Sequence, residues 1–212
     1  MNMADSRRNI SALVPFAFEV ALGVVGAFLA WLAGVSLEDK LWPPEGQSEA
    51  ILTGVLGTLP LLALLWVLVR VRIRPLRDLV RKVRGLLRVL LAKARWWQIV
   101  GIALAAGFGE EILFRGALQP IAIRWLTPVG GLLATSLLFG VVHAATPAYF
   151  WFATLVGLYL GGMALWTGEI LSASIAHALY DYLAILYLLR LPGRRRRAAN
   201  ERLAATRSAV SR

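Results

Sequence analysis

The chain contains no cysteine. That excludes disulfides, thiolate metal ligands and a cysteine nucleophile, and it leaves the redox compartment open. Histidine is nearly as scarce, with His143 and His177 alone. The close His-x-x-x-His pair of the common zinc peptidases is therefore missing. Acids are few: 12 Asp and Glu stand against 23 Lys and Arg, a net charge of +11. No repeat of fixed period is apparent, nor the inverted repeat on which many transporters are built.

What is present is mostly apolar. Hydrophobic residues make up 58% of the chain and the mean hydropathy is +0.67, against about 45–50% apolar in a soluble domain. A helix of about 20 apolar residues crosses the hydrocarbon core. Six stretches qualify or nearly do: 11–35, 50–69, 96–119, 129–145, 149–166 and 170–191. The first is too long, and too poor in a small-residue cleavage pattern, to be a removed signal peptide. It is expected to be a retained span, and it carries one acid, Glu19, to which no catalytic role is given. The expected fold is all-α and membrane-integral, with about six transmembrane helices in a single domain over residues 1–193.

The basic residues are clustered. Ten Lys and Arg fall between Arg70 and Arg95, and eight more between Arg190 and Arg212. Beside apolar spans such clusters mark cytoplasmic loops facing anionic lipid rather than nucleic acid. In the first cluster Leu76, Leu79, Val80, Val83, Leu86, Leu87, Leu90 and Ala94 recur at helical spacing, with arginines mainly between them. That pattern predicts an amphipathic helix on the membrane surface, followed by Trp96-Trp97 at the aromatic belt. Residues 194–212 read as a basic, polar tail. Residues 36–49 are acidic instead, with four acids and one lysine. Counting Lys and Arg places both termini in the cytoplasm of what is expected to be a prokaryotic plasma membrane.

Against this background the titratable residues stand out. A charge at mid-bilayer costs about 3 kcal/mol or more, so it rarely occurs there without a task. The third span holds Glu110, Glu111 and Arg115; the fourth, Phe139 and His143; the sixth, His177 and Asp181. Glu111 and Arg115 are four apart, hence neighbours able to neutralise each other. Glu110 is turned about 100° away and has no partner in its own helix. An unpaired glutamate with two imidazoles supplies the parts of a general acid/base site. Asp181 could orient His177, orient substrate, or donate a hydrogen bond when protonated. As ideal helices, the third and fourth spans put Glu110 and His143 on opposite sides of mid-membrane. Their meeting requires a deep start for the third helix, or tilt.

Three motifs occur in order: Glu110-Glu111-x-x-x-Arg115, Phe139-x-x-x-His143 and His177-x-x-x-Asp181. Together they resemble the CPBP intramembrane proteases, which include type II CAAX prenyl proteases and bacteriocin-processing or Abi-like proteins. The resemblance covers about 96–188. It implies a glutamate-dependent endopeptidase without a nucleophilic side chain, acting on a membrane-associated or lipidated (CAAX-like) substrate; no cofactor is expected. By that analogy Glu110 and His143 activate a water, while His177 and the residue at 181 stabilise the oxyanion. Glu111, Arg115 and Phe139 are supporting residues. One departure is that the CAAX-processing members carry asparagine where this chain has Asp181. Three other readings compete: a zinc protease with Glu110, His143 and His177 as ligands, a non-catalytic scaffold or immunity protein, and a small transporter or proton relay.

Overall fold

The computed structural model describes residues 3–91 and 93–191. The 194–212 tail and its proposed contacts lie outside the described residues. The elements are α1 (Met3–Leu32), α2 (Glu38–Leu41), α3 (Gln47–Arg70), α4 (Arg74–Leu91), α5 (Trp96–Glu111), a π-helical segment (Ile112–Leu118), α6 (Gln119–Trp125), α7 (Pro128–Val142), α8 (Pro147–Thr167) and α9 (Leu171–Arg190). No strand occurs among the described residues. Five helical stretches are long and apolar enough to cross a membrane. The protein is an all-α integral membrane protein.

The expected fourth span is shorter than six equal crossings would require. α7 has 15 residues, about 22 Å of helix against a hydrocarbon core of about 30 Å. The third span, by contrast, runs on past Gln119 to Trp125, as one helical stretch of 30 residues. These two departures remove the depth conflict. Glu110 precedes the turn at Leu126-Thr127 by sixteen residues, and His143 follows it by sixteen. In an antiparallel hairpin, residues equally far from the turn lie side by side. His143 is therefore not inside a span, as its apolar context suggested, but caps the C-terminal end of α7. Pro147 holds Thr146 extended, so the chain does not continue as one helix into α8. The Thr146 hydroxyl then accepts from Tyr149 N–H and starts α8.

The π-helical segment interrupts the third span beside its charged residues. Its last turn closes with Gln119 N–H donating to the Phe114 carbonyl, five residues back. Pro120 follows and has no N–H for the Gly116 carbonyl, so the α-helical ladder is already broken there.

Glycines set the distances between the helices around this stretch. A Cβ on Gly107 would lie 2.6 Å from both the nitrogen and the Cβ of Ala178, so α5 and α9 touch backbone to backbone beside His177. On the opposite side Gly23 meets Gly109, and a Cβ on Gly26 would lie 2.5 Å from the Leu113 Cα. Small residues serve this purpose in membranes, where close packing replaces the hydrophobic effect between helices. The outer faces stay apolar, and exposed tryptophans mark helix ends: Trp31, Trp125 and Trp166 at one end, Trp66, Trp96 and Trp97 at the other.

The amphipathic helix is α4, and part of its apolar face turns to the bundle instead of lipid. Leu79 is 2% exposed, within a cluster that includes Leu65 and Leu68 of α3, Leu160 of α8 and Tyr180 of α9. Leu91 is buried against Ile99 and Ile185. Arg84 Nε donates to the Leu188 carbonyl at 3.0 Å, and its guanidinium also reaches the Leu191 carbonyl, satisfying acceptors at the end of α9.

The glycine contacts yield a stability test. Gly107→Ala is expected to lower unfolding free energy by about 1–3 kcal/mol through overpacking. Gly162→Ala, where a Cβ meets nothing within 4 Å, is expected to be neutral or stabilising. Denaturant titration in detergent would read both, and equal effects would remove the close-approach argument.

Candidate active site

Glu111 is the fully buried centre of the polar residues. Its Oε1 accepts from Arg115 Nη1 at 2.8 Å and from His177 Nδ1 at 2.9 Å. The i,i+4 pairing expected within the third span is present, and it extends across to α9. Gly107 lies one turn before Glu111 and supplies the close α5–α9 contact that brings His177 within reach. Arg115 Nη2 donates to the Gly157 carbonyl at 2.9 Å, and one turn on, Gln119 Nε2 donates to the Gly161 carbonyl at 3.1 Å. The π-helical stretch is thereby fastened to α8 at two successive turns. The Arg115 and Glu111 side chains are 1% and 0% exposed, so each charge depends on the other for compensation.

Phe139 organises the second histidine. Its ring stacks on His143 at 4.5 Å and meets Phe114 edge-on at 4.9 Å. The Arg115 guanidinium carbon lies 4.8 Å from the Phe139 ring centre, a cation–π contact. His143 Nδ1 donates to the Phe139 carbonyl at 2.8 Å. In the neutral imidazole that bond places the proton on Nδ1 and leaves the Nε2 lone pair free. Nε2 faces Glu110 Oε1 at 3.8 Å. The separation is too long for a direct hydrogen bond and is of the kind that invites a bridging water. Glu110 Oε2 is buried without a partner among the described residues.

His177 and Asp181 complete the arrangement, with Nε2 and Oδ2 at 3.7 Å. His177 thus takes its orienting hydrogen bond from Glu111, and Asp181 stands at a longer distance. Glu110, His143, His177 and Asp181 line one cavity of about 270 Å³. Its walls are otherwise largely apolar, from α3, α4, α8 and α9, with Leu79, Val80, Val83 and Leu87 of α4 forming one side. Three further polar residues line it, Tyr149, Tyr180 and Glu19, none of them assigned a role from the sequence. Tyr149 sits edge-on to the His143 ring at 5.7 Å; its signal is its place two residues after Pro147, at the start of the helix that follows His143. Glu19 enters from α1, where its only signal was an acid inside an apolar span. The zinc ligand set considered above does not form: among the described residues, no three His, Cys, Asp or Glu side chains are grouped to hold a metal ion.

Residues 92–183 match the family model of the Rce1-like type II CAAX prenyl endopeptidases. This is consistent with the CPBP family and bears out the resemblance carried by the three motifs. The family is one of proteases that act on membrane-associated proteins. No curated protein and no solved structure matches the chain. The matched segment begins after α4 and contains Glu110, Glu111, Arg115, Phe139, His143, Tyr149, His177 and Asp181. It leaves Glu19 and the α3 and α4 walls of the cavity outside.

Arg115→Met is expected to destabilise the protein by about 3–5 kcal/mol, because it takes the guanidinium from the buried Glu111 carboxylate and the donor from the Gly157 carbonyl. Adding Glu111→Leu should recover part of that loss. Unfolding midpoints of the two variants test this, and a double variant no more stable than Arg115→Met would contradict it.

Proposed function

We propose that the protein is an intramembrane endopeptidase in which Glu110 and His143 activate a water. The observation that carries this reading is the 3.8 Å approach of Glu110 Oε1 to His143 Nε2, both acceptors on a shared cavity. A water donating one proton to each would present its oxygen lone pairs to a scissile carbonyl carbon. Glu110 takes the proton as the new C–O bond forms and the carbonyl becomes an oxyanion. His177, held by Glu111 through Nδ1, donates from Nε2 to that oxyanion as an imidazolium, with the residue at 181 beside it. The intermediate then collapses and the C–N bond breaks. Glu110 returns its proton to the departing amine. No side-chain nucleophile takes part.

The substrate is a membrane-associated or lipidated peptide or protein, entering a largely apolar cavity beside α4. The chain works as one membrane domain over residues 1–193, in a prokaryotic plasma membrane, with termini and α4 on the cytoplasmic side. The arginine face of α4, with Arg77, Arg81 and Arg88 outward, meets anionic lipid there. No nucleic acid is involved. Cysteines introduced at positions 77 and 47 should label from opposite sides, and labelling from the same side would sink this topology.

Glu110→Gln or His143→Ala should each reduce cleavage by on the order of 10³-fold or more. The double variant should be little worse, because the two act on one water. Cleavage should persist in strong chelator; activity lost on chelation and restored by zinc would replace this mechanism with a metal one. Asp181→Asn should preserve or raise activity at neutral pH, since the amide donates without protonation and His177 keeps its Glu111 bond. A marked loss would mean that Asp181 orients a charged His177.

A further inference from the structure

Glu19 lines the same cavity as Glu110, His143, His177 and Asp181, yet it lies on α1, outside the segment that matches the protease family. Its position is set by backbone contact. A Cβ added to Gly109 would run into the Glu19 carbonyl, so α1 touches α5 at the residue before Glu110. Glu19 Oε2 is buried and accepts no hydrogen bond among the described residues. Within one turn on either side its own helix offers Pro15, Phe16, Leu22 and Gly23, none of them a donor to a carboxylate side chain.

A second orphan faces the same space. The Glu110 side chain is 9% exposed, and its Oε2 is also buried and unpartnered. Among the described residues the cavity lining contains three carboxylates and two imidazoles, but no lysine or arginine. Arg115 cannot serve, being committed to Glu111 and to the Gly157 carbonyl. The proposed chemistry uses Glu110 and His143 on the water, and His177 on the oxyanion. It leaves Glu19 without a task and its buried Oε2 without a hydrogen-bond partner, while the one cation of that chemistry, His177, is already bonded to Glu111.

We propose that Glu19 is a specificity-determining residue that receives a lysine or arginine side chain of the substrate next to the scissile bond. The substrate's cation brings a donor of its own, and its hydrogens satisfy the orphaned oxygen of Glu19. A cavity of about 270 Å³ is small for a ligand pocket, so the selected residue must closely flank the cut. The apolar walls take the neighbouring side chains. This inference rests on the peptidase reading above and narrows its substrate class to sequences with a basic residue at the cleavage point.

The test uses the full chain in proteoliposomes, with pairs of membrane-anchored, internally quenched peptides that differ only in lysine versus norleucine. Lysine is scanned across the positions flanking the cut. At the selected position wild type should prefer lysine by at least about tenfold in kcat/KM, since an unfilled buried polar group is strongly discriminating. Glu19→Gln, nearly isosteric, should bring that ratio close to one. Absence of a lysine preference in wild type, or an unchanged ratio in Glu19→Gln, overturns the inference. An equal fall on both peptides leaves the ratio unchanged and so assigns Glu19 to the chemistry or the packing instead. Binding of labelled peptides to Glu110→Gln, with and without Glu19→Gln, separates the two readings. A lysine preference in binding that depends on Glu19, with no cleavage by wild type, would retain this inference and remove the peptidase reading. Cleavage without any lysine preference would do the reverse.

Discussion

The buried carboxylate of Glu111 is the constraint on which the rest of the site depends. It accepts from Arg115 on its own helical stretch and from His177 on α9. Neither charge of the Glu111–Arg115 pair has water to fall back on, so their separation would leave an uncompensated ion in the bundle. That penalty keeps the π-helical segment, α8 and α9 in register. Arg115 carries the constraint further, through the Gly157 carbonyl and the face of Phe139, and Phe139 in turn stacks on His143. One ion pair thereby positions both histidines, although it touches only one of them.

Glu110 benefits from this arrangement by being left out of it. Adjacent to Glu111 in sequence, it projects to a different side of the helix and makes no ion pair with Arg115. Its partner across the cavity is the Nε2 of His143, freed because Nδ1 is engaged by the Phe139 carbonyl. The same pair of neighbouring glutamates therefore divides into a structural anchor and a group with open valence facing a cavity. Rotation along the helix makes the division, and the packing of α5 between α1 and α9 enforces it.

Much of this was legible in the chain. Runs of about 20 apolar residues identified the helices, since a helix satisfies its backbone within one segment whereas a barrel strand would alternate. The i,i+4 spacing identified the Glu111–Arg115 pair, and charges inside apolar spans identified the candidate residues. The motifs led to the same family that the matched segment supports. Less legible were features that belong to pairs of helices. The arginine helix α4 reads as a surface element, but its register lets Leu79 and Val83 wall the cavity. The sequence pattern also stopped the third span near Gln119, where the helix passes through a π-helical segment and Pro120 to reach Trp125. With the span cut short, Glu110 and His143 appeared misaligned in depth. Carried to its true end, the hairpin puts them equally far from the turn.

By itself the sequence determined that the protein is helical and membrane-bound, which residues carry charge there, and which lie on one helical face. These follow from local physics: helical periodicity, and the cost of charge and of open backbone groups in lipid. Only the tertiary structure decided that His177 is held by Glu111 and not by Asp181, four residues away on its own helix. It alone brought Glu19 from α1 to the same cavity as Glu110. Both outcomes turn on how closely two backbones approach, at Gly107 beside Ala178 and at Gly109 beside Glu19. Such an approach is a property of two surfaces meeting, and neither surface encodes it alone.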